Sequence, residues 1–336
     1  MDLDYIQYDD YIPGNETEKN IATVGVLNFG SSQSSSTHVL VAVNILISFI
    51  GIGGNSLVIW ICGRKMKRTV ITTWYLSLAI SDLLFCFFLI LEVIYMITSH
   101  WPFGLVFCKI TSSALFLNMY SSVFLLVLIS ADRCLMISFP VWSHNHRTVK
   151  KAFGVVILMW VLSALLTLPS MLYRQITIHG SVTQCYTDYK DQSRHKAVVL
   201  TRFICGFVIP FLMIVFSCTV LGVKLKNLTI KSTKPYKVML ALILSFFFCW
   251  VPYHTFVLLE LDVKNHNLDV VQTGLKVGAT LAAANSFLSP VLYVFIGNDF
   301  KQTLRRSMTS RIEEAMQEDL RTGGVSHSKS RSMEVI

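Results

Sequence analysis

Three charged side chains stand inside otherwise apolar stretches and set the chemistry this sequence can perform. Asp82 interrupts Leu76-Ser-Leu-Ala-Ile-Ser-Asp82-Leu, Glu92 follows ten residues later, and Arg202 sits eight residues before Pro210. A carboxylate in apolar surroundings needs a partner to remain charged, so Asp82 either holds a cation or sits protonated in a water network. A guanidinium is a planar fork of donors suited to bidentate capture of a carboxylate. Arg202 therefore either pairs internally with Glu92 or meets an acid brought from outside, and Glu92 equally suits a cationic group on a peptide. Arg174 and Lys276 are further cations, either binding groups or rim charges. Asp132 and Arg133 are adjacent at the end of a long uncharged run, where Arg133 alone reads as a snorkelling cation. No nucleophile–base pair and no metal spacing is present, so the reading is not an enzyme.

The elements that position these groups follow from composition. With 53% hydrophobic and 15% charged residues and a mean hydropathy of +0.56, the 336-residue chain is too apolar for a soluble domain. Seven blocks are each long enough to span a bilayer: His38–Cys62, Thr72–Ile97, Lys109–Ala131, Ala152–Tyr173, Ala197–Val223, Val238–Leu261 and Val270–Ile296. The third block carries no charge between Lys109 and Asp132, while its first half interleaves Ser112, Ser113, Asn118, Tyr120, Ser121 and Ser122. Polar groups at membrane depth face protein or a wet cavity, which predicts a central helix. Gly51-Ile-Gly-Gly54 in the first block predicts close helix contact.

Lys and Arg collect in alternate connections: Arg64, Lys65, Lys67 and Arg68; Arg147, Lys150 and Lys151; Lys224 to Lys237; Lys301, Arg305 and Arg306. By the positive-inside rule these are cytoplasmic, which places the N-terminus outside and the C-terminus in the cytoplasm of a multi-pass plasma-membrane protein. The net charge of +9 then reflects topology and gives no evidence for nucleic acid as a partner. Residues 1–37 form an acidic extracellular tail, 38–296 the bundle, and 297–336 an amphipathic stretch and cytoplasmic tail. The acidic first residues predict no signal peptide, with the first span as insertion signal. Asn15-Glu16-Thr17 is a glycosylation acceptor on the outside, whereas Asn227-Leu228-Thr229 falls in a cytoplasmic loop and stays bare. Of eight cysteines, Cys108 and Cys185 alone are predicted to face the oxidising exterior, and a disulfide between them is the economical reading. No cysteine follows Cys249, so no palmitoylation anchor is expected in the tail.

Gly54-Asn55, Leu78-Ala-Ile-Ser-Asp82, Trp101-Pro-Phe-Gly104, Cys108, Asp132-Arg133-Cys134, Trp160, Cys249-Trp250-Val251-Pro252 and Pro290-Val-Leu-Tyr293 occur in order and at matching depths. The series resembles the rhodopsin-like G-protein-coupled receptors over roughly residues 38–306. The stretch Asp132-Arg133-Cys134 with Phe139-Pro140-Val141-Trp142-Ser-His-Asn-His-Arg147 is most similar to the chemoattractant subgroup, which includes chemerin-type, formyl-peptide and anaphylatoxin receptors, and to the chemerin type within it. The resemblance implies an all-α membrane protein, a seven-transmembrane helix bundle with a short amphipathic eighth helix over Asn298–Arg306. It implies an extracellular peptide or protein ligand, a heterotrimeric G protein of the inhibitory class, arrestin and receptor kinases as partners, in a setting of membrane lipid. It makes Arg133 a switch, paired with Asp132 at rest, with Trp250, Pro252, Ser289, Pro290 and Tyr293 as further switch positions. It also places a sodium site at Asp82, Asn118, Ser122 and Asn285. No other cofactor is expected.

The sequence departs from the family's pattern twice: Ser289-Pro290 stands where Asn-Pro is usual, and Cys218 where a Tyr is usual. Cysteine is a weak hydrogen-bond partner, so coupling is expected to be reduced or arrestin-biased. Ala283 stands where opsins carry the retinal lysine, and Leu115 where amine receptors carry an Asp. Arg202, about 12 Å above Pro210 by helical rise, leads the expected ligand-binding set with Glu92, Lys276 and Arg174. Tyr5, Tyr8 and Tyr11 among acids are sulfation candidates or part of a plain disordered tail, and Ser307 to Ser332 offer phosphate acceptors. A receptor for a small lipid carboxylate is the alternative in the same fold. A transporter or channel is the alternative from another class, although internal repeats and broken helices are not seen.

Overall fold

The computed structural model describes residues 35–226, 234–262, 265–296 and positions 302, 303 and 305. Asn15, the three N-terminal tyrosines, Asn227, the tail serines and all but three positions of the expected eighth helix lie outside the described residues. Among the described residues, seven helical spans are long and apolar enough to cross a membrane, and each coincides with one apolar block of the sequence. They are α1 (Ser35–Trp60), α2 (Val70–Thr98), α3 (Gly104–Ser138), α5 (Val149–Leu172), a composite of α6 (Gln192–Phe203) and α7 (Ile209–Lys226), α8 (Lys234–Glu260) and α9 (Leu268–Ile296). The short α4 (Pro140–His146) joins α3 to α5.

The ends of these helices are written in local sequence. Thr69 and Thr72 form a reciprocal cap at the start of α2: Thr69 Oγ1 accepts from the Thr72 amide at 3.2 Å and Thr72 Oγ1 from the Thr69 amide at 2.8 Å. Asp191 caps α6 by accepting from the Arg194 amide at 2.8 Å. Pro140 opens α4 at its first turn, where the missing N–H costs nothing. Pro210 has the opposite effect. Without an N–H it leaves the Gly206 carbonyl without its helical donor, and residues Ile204–Val208 widen into a π-turn that links α6 to α7.

The third helix is the axis of the bundle, as its polar half predicts. In its most apolar window 78% of α3 is buried, against 17% for α5. The outward side of α5 instead carries Ile157, Leu158, Val161, Leu162 and Leu165 at helical spacing, an apolar stripe fit for lipid. Small residues let the helices close. A Cβ on Gly51 would collide with Cys86 Sγ, one on Gly54 would meet Pro290 at 2.9 Å, and one on Gly278 the Tyr253 backbone at 2.8 Å. Side-chain hydrogen bonds then fix the registers: Asn55 Nδ2 donates to the Ser286 carbonyl at 2.8 Å, Asn44 Nδ2 to Thr280 Oγ1 at 3.0 Å, and Trp160 Nε1 to Ser77 Oγ at 2.9 Å.

Between α5 and α6 the chain forms an antiparallel hairpin, β1 (Arg174–His179) and β2 (Val182–Thr187). Gly180, at φ +60°, makes the two-residue turn, a conformation the flanking twist requires and a Cβ would oppose. The sequence reading treats this stretch as loop; Gly180-Ser181 between two short alternating runs is the signal it passes over. The Cys108–Cys185 disulfide is present and ties β2 to the start of α3. The Trp101 amide also donates to the Thr183 carbonyl at 2.8 Å, and the Thr183 amide to His100 Nδ1 at 3.0 Å.

Candidate functional site

A cavity opens beneath the hairpin, lined from α2 by Phe85, Phe88, Leu89 and Glu92, from α3 by Thr111, Ser112, Leu115 and Phe116, and by Ser170, Arg174, Thr187, Tyr189 and Arg202. Arg202 ends α6 just before the π-turn and is buried. Its Nη1 donates to the Tyr253 hydroxyl at 3.1 Å and its Nη2 to Ser170 Oγ at 3.2 Å. The guanidinium carbon lies 3.4 Å from the centre of the Phe116 ring, a cation–π contact. Three helices thus hold one planar cation at a fixed angle.

Arg174 is one of the two cations that the sequence leaves open between a binding group and a rim charge. It is not a rim charge: pairing of β1 with β2 sets it opposite Thr187 and turns it inward, where it is 5% exposed. Its Nη1 donates to Thr187 Oγ1 at 2.7 Å and its Nε to Ser112 Oγ. Lys276 is the converse case. It is exposed on α9 and absent from the cavity lining, because Leu275 and Ala279 take the buried face and the next residue turns about 100° away. Glu92 is buried and lines the cavity, yet among the described residues it has no hydrogen bond or ion pair. The internal Arg202–Glu92 pair is therefore not formed. Phe116, Ser170, Thr187 and Tyr253 are not singled out by the sequence, and Ser112 only as one of the polar residues of the third block. Tyr253 was the one within reach, three residues past Trp250 and so on the same helical face. At the edge of this region Lys190 Nζ donates to Asp188 Oδ2 at 2.5 Å. That bond holds the Asp188 carboxyl below the usual carboxylate range.

A second polar centre lies deeper, around Asp82, which is fully buried. Asn118 Nδ2 donates to Asp82 Oδ1 at 2.8 Å and lies 3.2 Å from Ser81 Oγ, which is itself 2.5 Å from Ser121 Oγ. Ser286 Oγ donates to Asn118 Oδ1 at 3.3 Å. Ser286 and Ser289 also stand close enough to act on the Asp82 charge, although Asp82 Oδ2 receives no well-aligned hydrogen bond. Ser122, one turn from Asn118, is buried with its Oγ unpartnered among the described residues. The orphaned Asp82 Oδ2 beside the Ser286 and Ser289 hydroxyls fits a hard cation, which prefers oxygen donors, and the orphaned Ser122 Oγ lies on the Asn118 face of α3. Of the expected set, Asp82 and Asn118 are joined directly, while Asn285 is buried and makes no hydrogen bond to them among the described residues. Ser286, one residue on, takes its place.

At the opposite end of α3 the expected Asp132–Arg133 pair is replaced. Arg147 grips Asp132 with two parallel hydrogen bonds from one edge of its guanidinium, Nε to Oδ1 at 2.6 Å and Nη2 to Oδ2 at 2.9 Å. Adjacent helical residues point about 100° apart, so Asp132 turns toward the α4–α5 connection while Arg133 turns toward Tyr75 of α2. Trp250 is fully buried, packed against Phe246 at 5.9 Å and edge-on to Tyr253 at 5.7 Å. Pro252 and Pro290 lie inside α8 and α9, and Tyr293 is on the last turn of α9.

Residues 54–293 match the family described as 7 transmembrane receptor (rhodopsin family). Among named proteins, the chain is 42% identical over 315 residues to Chemerin-like receptor 1 of Rattus norvegicus, covering 87% of this chain and 84% of that receptor. It is 42% identical over 294 residues to the C3a anaphylatoxin chemotactic receptor of Oncorhynchus mykiss, covering 84% and 80%. Against Chemerin-like receptor 2 of Mus musculus the identity is 37%, covering 82% and 81%.

Proposed function

The chain belongs to the rhodopsin family of seven-transmembrane receptors, and on that premise we propose that it is a plasma-membrane receptor for a chemoattractant peptide or protein with a free carboxylate. The names of its relatives support the chemoattractant class. The distribution of Lys and Arg supports an extracellular N-terminus and a cytoplasmic C-terminus, with residues 1–37 as outer tail and 297–336 as inner tail. The observation that carries the ligand chemistry is the cavity beneath the hairpin, where two buried guanidiniums, Arg174 and Arg202, are aligned by hydroxyls of four other residues. A carboxylate entering there meets preorganised forks.

Ligand capture then biases the bundle through Tyr253 and Trp250 on α8. Arg133, Ser289, Pro290 and Tyr293 act as switch positions toward a heterotrimeric G protein of the inhibitory class. Arrestin and receptor kinases act on the tail, and Ser289 with Cys218 tilts the balance toward arrestin. A sodium ion at the Asp82 centre is part of the same proposal, held by Asp82, Ser122 and Ser286 with Asn118 orienting them.

The test is direct. Arg202→Ala removes one side of a desolvated pair, worth about 3–5 kcal/mol, or roughly two to three and a half decades in agonist potency. Surface expression should persist and Arg202→Lys should recover part of the loss. Equal potency of free-acid and amidated ligands on the natural receptor would rule the reading out. A small lipid carboxylate is the second reading. It is favoured by a cleft between α5 and α6, lined by Leu166, Pro169, Ala197, Val198 and Thr201, that reaches Arg202 from the side. A joint peptide and lipid panel read by cAMP and arrestin separates the two.

A further inference from the structure

Glu92 is a buried acid on the wall of the binding cavity. It is 5% exposed, lines the cavity that Arg174 and Arg202 share, and among the described residues receives no hydrogen bond and forms no ion pair. A carboxylate so placed is costly unless a cation reaches it. The two arginines line the same cavity, yet they are fastened to hydroxyls on other walls. A cation for Glu92 must come from elsewhere, and the open side of the cavity is where a ligand enters.

The helices supply a ruler for where that cation sits. The Asn118–Asp82 hydrogen bond fixes α2 and α3 at one level. Toward the hairpin, Arg202 lies over Phe116, two residues along α3, and Arg174 on Ser112, six residues along. Glu92 is ten residues along α2. At 1.5 Å per residue these levels are about 3, 9 and 15 Å above Asp82. Glu92 therefore stands about 12 Å above Arg202, on the way in. An extended peptide advances about 3.3 Å per residue, so that gap corresponds to three or four residues.

We propose that Glu92 receives a basic side chain of the same peptide whose terminal carboxylate rests on Arg202, carried three or four residues before its C-terminus. The ligand signature is then a lysine or arginine, two or three intervening residues, and a free carboxylate on the last. The inference rests on carboxylate capture by Arg202 and adds a register to it. It makes Glu92 a specificity determinant, reading charge at one position of the ligand.

A positional set of nonapeptides with a free C-terminal carboxylate tests this, with lysine fixed in turn at each of the last six positions and the others randomised. Parallel sets carry norleucine or glutamate at the fixed position, and one set is amidated. Activation of the natural receptor should peak with lysine three or four residues before the terminus, at least tenfold above norleucine there. Glu92→Gln should flatten that peak, and Glu92→Lys should move the preference to glutamate. A flat lysine profile on the natural receptor overturns the inference even if a variant does not reach the surface. So does an unchanged peak on Glu92→Gln. Amide peptides as active as acids, or no response to any free-acid set, would instead remove the carboxylate reading beneath it.

Discussion

Two carboxylates ride on the same helix ten residues apart, and their surroundings could hardly differ more. Asp82 and Glu92 are 0% and 5% exposed, so burial does not distinguish them. Asp82 is knitted to Asn118, and through it to Ser81, Ser121 and Ser286 on three helices. Glu92 faces a cavity with two guanidiniums in its walls and no partner among the described residues. The first arrangement is what the fold builds when it uses a buried charge itself. The second is what remains when the complement is expected from solution. An inventory of partners, more than depth, separates a structural acid from a receptive one.

That contrast is open to measurement. The largest effect should come from Asp82→Ala, which orphans the Asn118 amide and loosens α2 against α3 and α9. A loss of about 2–4 kcal/mol follows from hydrogen bonds to a charged acceptor and the donors left behind. It would be read as a clear drop in the melting temperature of the purified receptor. Next is Arg147→Ala, which frees the half-buried Asp132. The bidentate pair is worth about 1–3 kcal/mol, and amide exchange in α4 and the neighbouring connection should rise. Asp188→Asn should do less, since Lys190 is mostly in solvent and surface pairs contribute little. Its sign is still checkable. The depressed carboxyl contributes above its unfolded pKa near 4, and the contribution fades as pH falls through the lower folded value. Any stability difference between Asp188→Asn and the natural protein should therefore vanish in acid. Smallest of all is Glu92→Gln, which breaks no internal bond and should leave the melting temperature unchanged or slightly raised. Equal destabilisation by Asp82→Ala and Glu92→Gln would collapse the contrast.

Much of the architecture was legible because it rests on one-dimensional signals. Runs of apolar residues gave the seven spans, the serines and Asn118 gave α3 its central place, and Gly51 and Gly54 gave the close contacts with Cys86 and Pro290. Cys108 and Cys185 were the two left to face each other, and they are bonded. What escaped depended on angles. Asp132 and Arg133 are neighbours in sequence, but a helix sends them to different partners. Arg174 is inward only because a hairpin forms, and Lys276 outward only because of the phase of α9. Ser286 rather than Asn285 meets Asn118 for the same reason. Helical phase at single-residue resolution is set by tertiary packing, and a charge in a loop carries no mark of which way a later strand will turn it.

The π-turn at Ile204–Val208 has a consequence for the orientation of everything that precedes it. A stretch of wider winding works like a shim in a jointed shaft: it offsets the rotation of α6 relative to α7 while the axis runs on. Gly206, where a Cβ would strike Met119 at 2.6 Å and Tyr120 at 3.0 Å, is the bearing on which that joint seats against α3. A change at Pro210 that let the joint close into ordinary α-helix with every residue kept would turn the segment Gln192–Phe203 by about 100°. Arg202 would then swing from the cavity toward the hydrocarbon, with the composition of the chain almost untouched. The aim of the binding cation is thus stored in the winding of the backbone, separate from the identity of the side chain itself.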